Sequence, residues 1–438
     1  MSSPNWKNRT LFHGDNLQFL RAMNSESVDL IATDPPFNKG RDFHATPDSL
    51  ASGAKFQDRW SWEQDVHQDW VDQLQDDYPK LMEAIESARY AHSDGMGAYL
   101  CFMAVRLLEM HRVLKPTGSI YLHCDPTASH YLKAAMDAIF GWKNFRNEII
   151  WHYRRWTGNA KKFQQLHDII LFYTKAKTYT FNILRIEYTE GSKKRKEQGV
   201  LHRFKQGHQP VLVSNKSVSK KGVPENDVWQ IPFIAPSAKE RLGYPTQKPI
   251  RLYSRIIEAS SNEGDIVLDS FAGCATTLVA AEILKRHWIG IDIWEGARKL
   301  VTQRLRDTTG VFGEVNYTKE LPERTDDKQE AVPFLQVKYQ AAKEPPGQRM
   351  TRAEIYDVLL SQQGIKCQGC DRVFDDPRYL QLDHNTPRSD GGINHISNRI
   401  LLCGPCNQLK SNIYTLSGLR RENKKRGYMA APLYGSTS

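Results

Sequence analysis

Residues 265–293, DIVLDSFAGCATTLVAAEILKRHWIGIDI, carry the strongest structural signal in the chain. The apolar run ending at Leu268 and Asp269 reads as a buried strand, and the small residues after it as a loop. LVAAEILKR reads as a helix and HWIGIDI as a second strand. Strand, loop, helix, strand is the repeating unit of a parallel, doubly wound α/β sheet.

In nucleotide-binding sheets the loop after the first strand lets backbone approach a ligand, and an acid about 20 residues on takes ribose hydroxyls. Asp292 stands 19 positions after Gly273. The loop lacks the three glycines of a pyrophosphate cradle, and Asp269 would repel a phosphate. An acid there suits a cation, such as an amino acid's ammonium or a sulfonium. S-adenosylmethionine offers both, and a ribose.

A second strand ends in a different way. In SVDLIATDPPFNKG (27–40) an apolar run closes on Thr33 and Asp34, followed by two prolines and Phe37. Neither proline has an N–H for a ladder, so the strand stops there. The amino nitrogen of adenine or cytosine is a poor nucleophile because its lone pair is delocalised into the ring. Two acceptors on its hydrogens, the Asp34 carboxylate and the Pro35 carbonyl held rigid by Pro36, would draw it toward tetrahedral geometry. Phe37 can stack on a base turned out of the duplex.

The rest of the chain fits this frame. RTLFHGD, VDLIATD, SIYLHCD and DIILFYTK read as strands. NLQFLRAM, YLCFMAVRLLEMHRVL, SHYLKAAMDAIF and YPTQKPIRLYSRIIEASSNEG read as helices, the last closing at Gly264. The net charge is +10 over 438 residues. It is uneven, with 19 lysines and arginines against 7 acids over residues 151–250 and 5 against 12 over residues 41–96. A basic segment that includes KKRK (193–196) points to a polyanionic partner. No apolar stretch is long enough to span a bilayer and the start of the sequence lacks a signal-peptide core, so a cytoplasmic protein with no membrane partner is expected. Residues 316–349 have linker composition.

TDPPF and LDSFAGCATTLVAA together resemble the catalytic and cofactor motifs of the amino-group DNA methyltransferases. The catalytic motif comes first, the circularly permuted order of the family's β class, in a Rossmann-like sheet. The resemblance implies a methyltransferase domain over 1–315, with 41–96 as an acidic insertion and about 150–240 as the region that recognises double-stranded DNA. It assigns Asp34, Pro35, Pro36 and Phe37 to the target amino group. It assigns Asp15, the Thr246-Gln247-Lys248-Pro249 segment, Asp269, the Phe271-Ala272-Gly273-Cys274 loop and Asp292 to S-adenosylmethionine. Asp at position 34 resembles the adenine-specific branch, with cytosine amino enzymes as close relatives. A cytosine-ring enzyme needs a Pro-Cys nucleophile, and the only one here, Pro405-Cys406, sits inside a CxxC pair.

Residues 350–438 hold that pair. CQGC (367–370) and CGPC (403–406) predict a structural zinc site of Cys367, Cys370, Cys403 and Cys406. The sequence between and after them resembles the HNH nucleases, whose small ββα unit holds one catalytic Mg²⁺ or Mn²⁺. The resemblance places Asp383 and Asn407 as metal ligands, His384 as the general base, Asn398 as the residue that orients it, and Lys410 at phosphate. A modification-only enzyme with a DNA-binding zinc tail, and methylation of RNA or protein, stay open. So does pairing of two chains as a homodimer.

Overall fold

The computed structural model describes residues 3–47, 49–154, 161–188, 190–191, 200–203, 211–214, 222–310, 314–326, 350–385, 395–410, 414 and 416–430. The basic run 193–196 and most of the expected linker, 327–349, lie outside these residues. The chain divides into two compact units, residues 1–58 with 110–326, and residues 59–109 with 327–438.

The first unit is built on a nine-stranded sheet. Its strands are β1 (Thr10–His13), β2 (Val28–Thr33), β3 (Leu114–Cys124), β4 (Phe145–His152), β5 (His167–Thr174), β6 (Val228–Gln230), β7 (Ile266–Asp269), β8 (His287–Asp292) and β9 (Asn316–Thr318). They lie in the order β6-β4-β5-β3-β2-β7-β8-β1-β9. The central strands read as unbroken apolar runs because helices cover both faces; Leu30, Ile31, Ala32, Val267, Leu268 and Ile289 are all fully buried. Helix α1 (Asn16–Ala22) follows β1 and is capped by Asp15, whose Oδ1 accepts from the Leu17 amide at 2.8 Å.

Helix α4 (Asp94–Val113) leads into β3 and α5 (Ser129–Met136) follows it. Next come α6 (Ile250–Ser260), α7 (Thr276–Ile283) after β7, and α8 (Ala297–Thr309) after β8. On α6, Leu252, Tyr253, Ile256 and Ile257 form a buried stripe. Leu252, Ile256 and Ile257 each contribute roughly 1.5–3 kcal/mol by leaving water.

Three expectations need correction. The sheet is not wholly parallel, because β5 runs antiparallel to both β3 and β4. β4 and β5 are neighbours in both sequence and sheet, the arrangement of an antiparallel pair rather than of a βαβ crossover. The helix expected over 244–264 spans only 250–260. Pro245 and Pro249 bias the residues before them away from helical backbone, and Thr246 adopts φ +60°. Residues 316–326 are not linker. Strand β9 pairs in parallel with β1, and the Ser25 amide donates to Asp326 at 2.5 Å.

The acidic insertion is also divided. Residues 41–58 belong to the sheet unit, while 59–109 cluster with the C-terminal module. In that second unit α2 (Gln68–Asp77) and α3 (Pro79–Ala91) carry six of the nine acidic residues of 59–96. The module itself consists of α9 (Arg352–Gln363), the hairpin β10 (Leu380–His384) and β11 (Arg399–Cys403), α10 (Gly404–Lys410) and α11 (Leu416–Lys425). A capping box of Thr351 and Glu354 starts α9. Its small core joins Ile355, Leu359, Leu380, Leu401, Leu402 and Leu419 to the four cysteines. No helix among the described residues is long and apolar enough to cross a membrane.

Candidate active sites

Four neighbouring parallel strands, β2, β7, β8 and β1, end at the same edge of the sheet, and each ends at or beside an acid: Asp34, Asp269, Asp292 and Asp15. In open α/β sheets this carboxyl edge is where ligands bind. Asp269 is 3% exposed. Its Oδ1 accepts from Thr33 Oγ1 at 2.8 Å and from the Phe271 amide at 3.1 Å. Burial pushes its carboxyl up to about 7 against those hydrogen bonds, and the nearby Asp34 adds to the rise. Asp292 accepts from the Gly273 and Trp294 amides, both at 2.7 Å, and burial pushes it up to about 6. Among the described residues neither acid forms an ion pair.

The loop between them is shaped by its small residues. Gly273 has φ +50° and Ala275 φ +63°, and a Cβ on Gly273 would stand 3.2 Å from the Tyr244 hydroxyl oxygen. Ala272 and Cys274 are buried, and Arg304 donates to the Cys274 carbonyl at 2.6 Å. Of the Thr246–Pro249 segment, Gln247 ties its own loop to Glu240 and Leu242, and Pro249 caps α6. Lys248 points elsewhere: its Nζ lies 2.6 Å from Asp34 Oδ2.

Asp34 therefore sits among charges that the sequence did not connect. Its Oδ1 lies 3.6 Å from His123 Nδ1, and His123 Nε2 lies 3.2 Å from Asp168 Oδ2. Pro35 is buried, and the Phe37 ring packs 5.4 Å from the His123 ring, with Lys248 Nζ 4.8 Å from its centre. Asp58, 1% exposed, accepts from the Asn38 and Lys39 amides and fixes the turn after Phe37. His123, Asp168, Tyr244 and Asp58 were all missed. The one available signal is SIYLHCD, another apolar run closing on polar residues at the same sheet edge.

In the second unit the four cysteine Sγ atoms lie within 4.8 Å of one another. A tetrahedral zinc with bonds of about 2.3 Å needs sulfurs roughly 3.8 Å apart, and Cys370 and Cys403 stand at 3.9 Å. The Cys403 amide donates to Cys367 Sγ and Asn423 Nδ2 to Cys406 Sγ, contacts that favour thiolates. Asp383 and His384 end β10, opposite Ile400 and Arg399. Asn398 is buried, and its carbonyl accepts from the Asn385 amide just after His384. Asn407 Nδ2 donates to Gln381 at 2.6 Å, which turns its amide nitrogen toward β10.

Lys410 does not reach outward to phosphate. It is 1% exposed and pairs with Asp383 Oδ2 at 3.0 Å. Arg399 Nη1 stands 3.3 Å from His384 Nδ1. A guanidinium only donates, so Nδ1 accepts there and the neutral ring carries its proton on Nε2.

Residues 28–303 match the DNA methylase family and residues 367–412 match the HNH endonucleases. DNA adenine methyltransferase YhdJ of Escherichia coli (strain K12) is 33% identical over 301 residues, covering 68% of this chain and 82% of that protein. Type II methyltransferase M.HpaI of Haemophilus parainfluenzae is 29% identical over 301 residues, covering 68% and 75%. Among solved structures, an M1.HpyAVI–SAM complex aligns over 68% of this chain and 98% of that one at 18% identity and a TM-score of 0.38. The chain belongs to the DNA methylase family. It is an amino-methyltransferase of the restriction–modification type, and its C-terminal module is an HNH endonuclease domain.

Proposed function

We propose that the sheet unit methylates the exocyclic amino group of adenine in double-stranded DNA, using S-adenosylmethionine, and that the HNH domain cuts DNA with Mg²⁺ or Mn²⁺. The observation that carries the reading is the adjacency of Asp34 to Asp269, joined through Thr33 at the ends of paired strands β2 and β7. The residues suit the cofactor, since buried Asp269 and partly buried Asp292, neither paired with a cation among the described residues, bracket a loop of small residues. Asp269 faces the cationic methionine end, Asp292 the ribose and Asp15 the adenine side. When bound, S-adenosylmethionine supplies an electrophilic methyl group on a sulfonium. Asp34 and the Pro35 carbonyl take the amino hydrogens, and Phe37 stacks on the base. Lys248 Nζ, 2.6 Å from Asp34 Oδ2, holds that oxygen in place and leaves Oδ1 for the base. The adenine assignment is supported by the Asp in TDPPF and by the name of the Escherichia coli relative. The basic middle segment suits a duplex backbone.

In the HNH domain, Asp383 and the Asn407 amide oxygen are hard donors of the kind Mg²⁺ takes. Asp383 and Asn407 would hold such an ion, which would supply Lewis-acid polarisation of the scissile phosphate. His384 takes the proton from water once Arg399 leaves Nδ1, and a phosphate is a natural partner for that guanidinium. Four thiols at tetrahedral spacing suit a structural zinc in a reducing, cytoplasmic setting. The test is to incubate the purified chain with unmethylated plasmid, with and without labelled S-adenosylmethionine and Mg²⁺, then digest to nucleosides. N6-methyladenine and metal-dependent nicking are expected. N4-methylcytosine would correct the base, and no transfer to duplex DNA would overturn the reading.

A further inference from the structure

We propose that His123, oriented by Asp168, receives through Asp34 the proton that the target amino group sheds on methylation. The proposal rests on Asp34 facing that amino group, as argued above. His123 lies on β3, the strand beside β2, and is 2% exposed. Its Nε2 meets Asp168 Oδ2 at 3.2 Å, and Asp168 Oδ1 is held by the Tyr153 hydroxyl at 3.2 Å. A carboxylate only accepts, so Nε2 carries a hydrogen. Nδ1 is then left facing Asp34 Oδ1 at 3.6 Å, beyond hydrogen-bond distance, and each of these two buried atoms is without a hydrogen-bond partner. Burying two such atoms face to face is unfavourable. A proton on Nδ1 would let the two atoms close to hydrogen-bond distance and satisfy both.

The reaction supplies that proton. The amino nitrogen begins with two hydrogens and the methylated product keeps one. As the new N–C bond forms, the S–C bond breaks and its electron pair stays on sulfur. The nitrogen recovers the electron pair of one N–H bond, and the proton passes to Asp34 Oδ1 and then to His123 Nδ1. Asp34 Oδ2 is already engaged by Lys248 Nζ at 2.6 Å, so Asp34 passes the proton on to its other neighbour. An imidazole between two carboxylates is a good resting place for it. The charged and titratable groups around the ring are Asp34, Asp168 and Lys248, with Tyr153 behind Asp168. On its own strand Cys124 is pushed well above the ordinary thiol value by burial and stays neutral. The next residue, Asp125, is paired with Lys39. Glu148 on β4 adds negative charge nearby.

His123 is a positioning and relay residue acting through Asp34, so rate alone does not test it. The full chain, as wild type, His123→Gln, Asp168→Asn and Asp34→Asn, is assayed for single-turnover methyl transfer to duplex DNA at S-adenosylmethionine concentrations that saturate binding at every pH. The pH runs from about 5.5 to about 9, with cofactor binding followed by calorimetry. Wild type is expected to lose rate on the acid side of this range. His123→Gln should bind cofactor, transfer on the order of 10²-fold more slowly and lack that acid limb. Asp168→Asn removes an anion that stabilises the imidazolium, so its limb should move to lower pH. A wild-type profile in either variant overturns the relay. If His123→Gln fails to bind cofactor, the Asp168→Asn profile decides alone. If Asp34→Asn transfers at the wild-type rate, the reading of Asp34 has failed. If Asp34→Asn is inactive while His123→Gln keeps the wild-type profile, only the relay has failed.

Discussion

Affinity for S-adenosylmethionine should fall about tenfold when the pH drops from about 8 to about 6. The perturbation acts on Asp269, 3% exposed, whose carboxyl burial pushes up to about 7. A folded value above the ordinary carboxylate value means that the free protein favours the protonated acid. The associated stability is present at low pH and is lost as pH rises through about 7. A cationic ligand reverses this by engaging the ionised form, so binding strengthens as pH rises. The linkage factor is about 11 at pH 6 and about 1.1 at pH 8 for a group titrating at about 7. Asp292, pushed up to about 6, is only partly buried by surface and already accepts two amides, so it adds no more than about twofold. Calorimetry in two buffers of different ionisation heat should register about half a proton released at pH 7. Asp269→Asn should bind more weakly and show only the ligand's own titration. A wild-type affinity flat across this range, or binding without proton release, would refute the reasoning.

Other outcomes follow from the same geometry. Asp292→Ala should weaken cofactor binding without touching Asp34, and unchanged calorimetric affinity would remove Asp292 from the ribose. Elemental analysis should find one zinc per chain. Cys403→Ala should lose it and unfold the C-terminal module while methyl transfer persists, because Asp34, Asp269 and Asp292 lie in the other unit. His384→Ala should reduce Mg²⁺-dependent plasmid nicking on the order of 10²–10⁴-fold with methylation intact. A wild-type protein that leaves plasmid supercoiled under every divalent ion tried would leave the module a DNA-binding one.

The acids at the sheet edge were legible because each closes a short apolar run, and one strand carries both the burial signal and its chemical end. The paired CxxC motifs were legible for the same local reason. Interactions between strands were not. Lys248 and Asp34 are 214 positions apart, and His123 and Asp168 meet only because β5 lies antiparallel beside β3. No periodicity carries that register. The start of α6 was misplaced because the amphipathic stripe hides two prolines that hold 244–249 out of the helix. Lys410 was expected at phosphate, and lysines are seldom buried, yet Asp383 holds it at 1% exposure. The grouping of residues 59–109 with the C-terminal module has no sequence signal that we find.

The central claim is that Asp34 acts on the target amino group and not on the cofactor. The most direct measurement compares wild type with Asp34→Ala for methyl transfer to unmethylated duplex DNA, with S-adenosylmethionine affinity measured on the same preparations. The account predicts undetectable N6-methyladenine from the variant and cofactor binding within a few-fold of wild type, since Asp269, Asp292 and the 271–274 loop remain. Full methylation by Asp34→Ala would contradict it, as would a variant that fails only because it no longer binds S-adenosylmethionine.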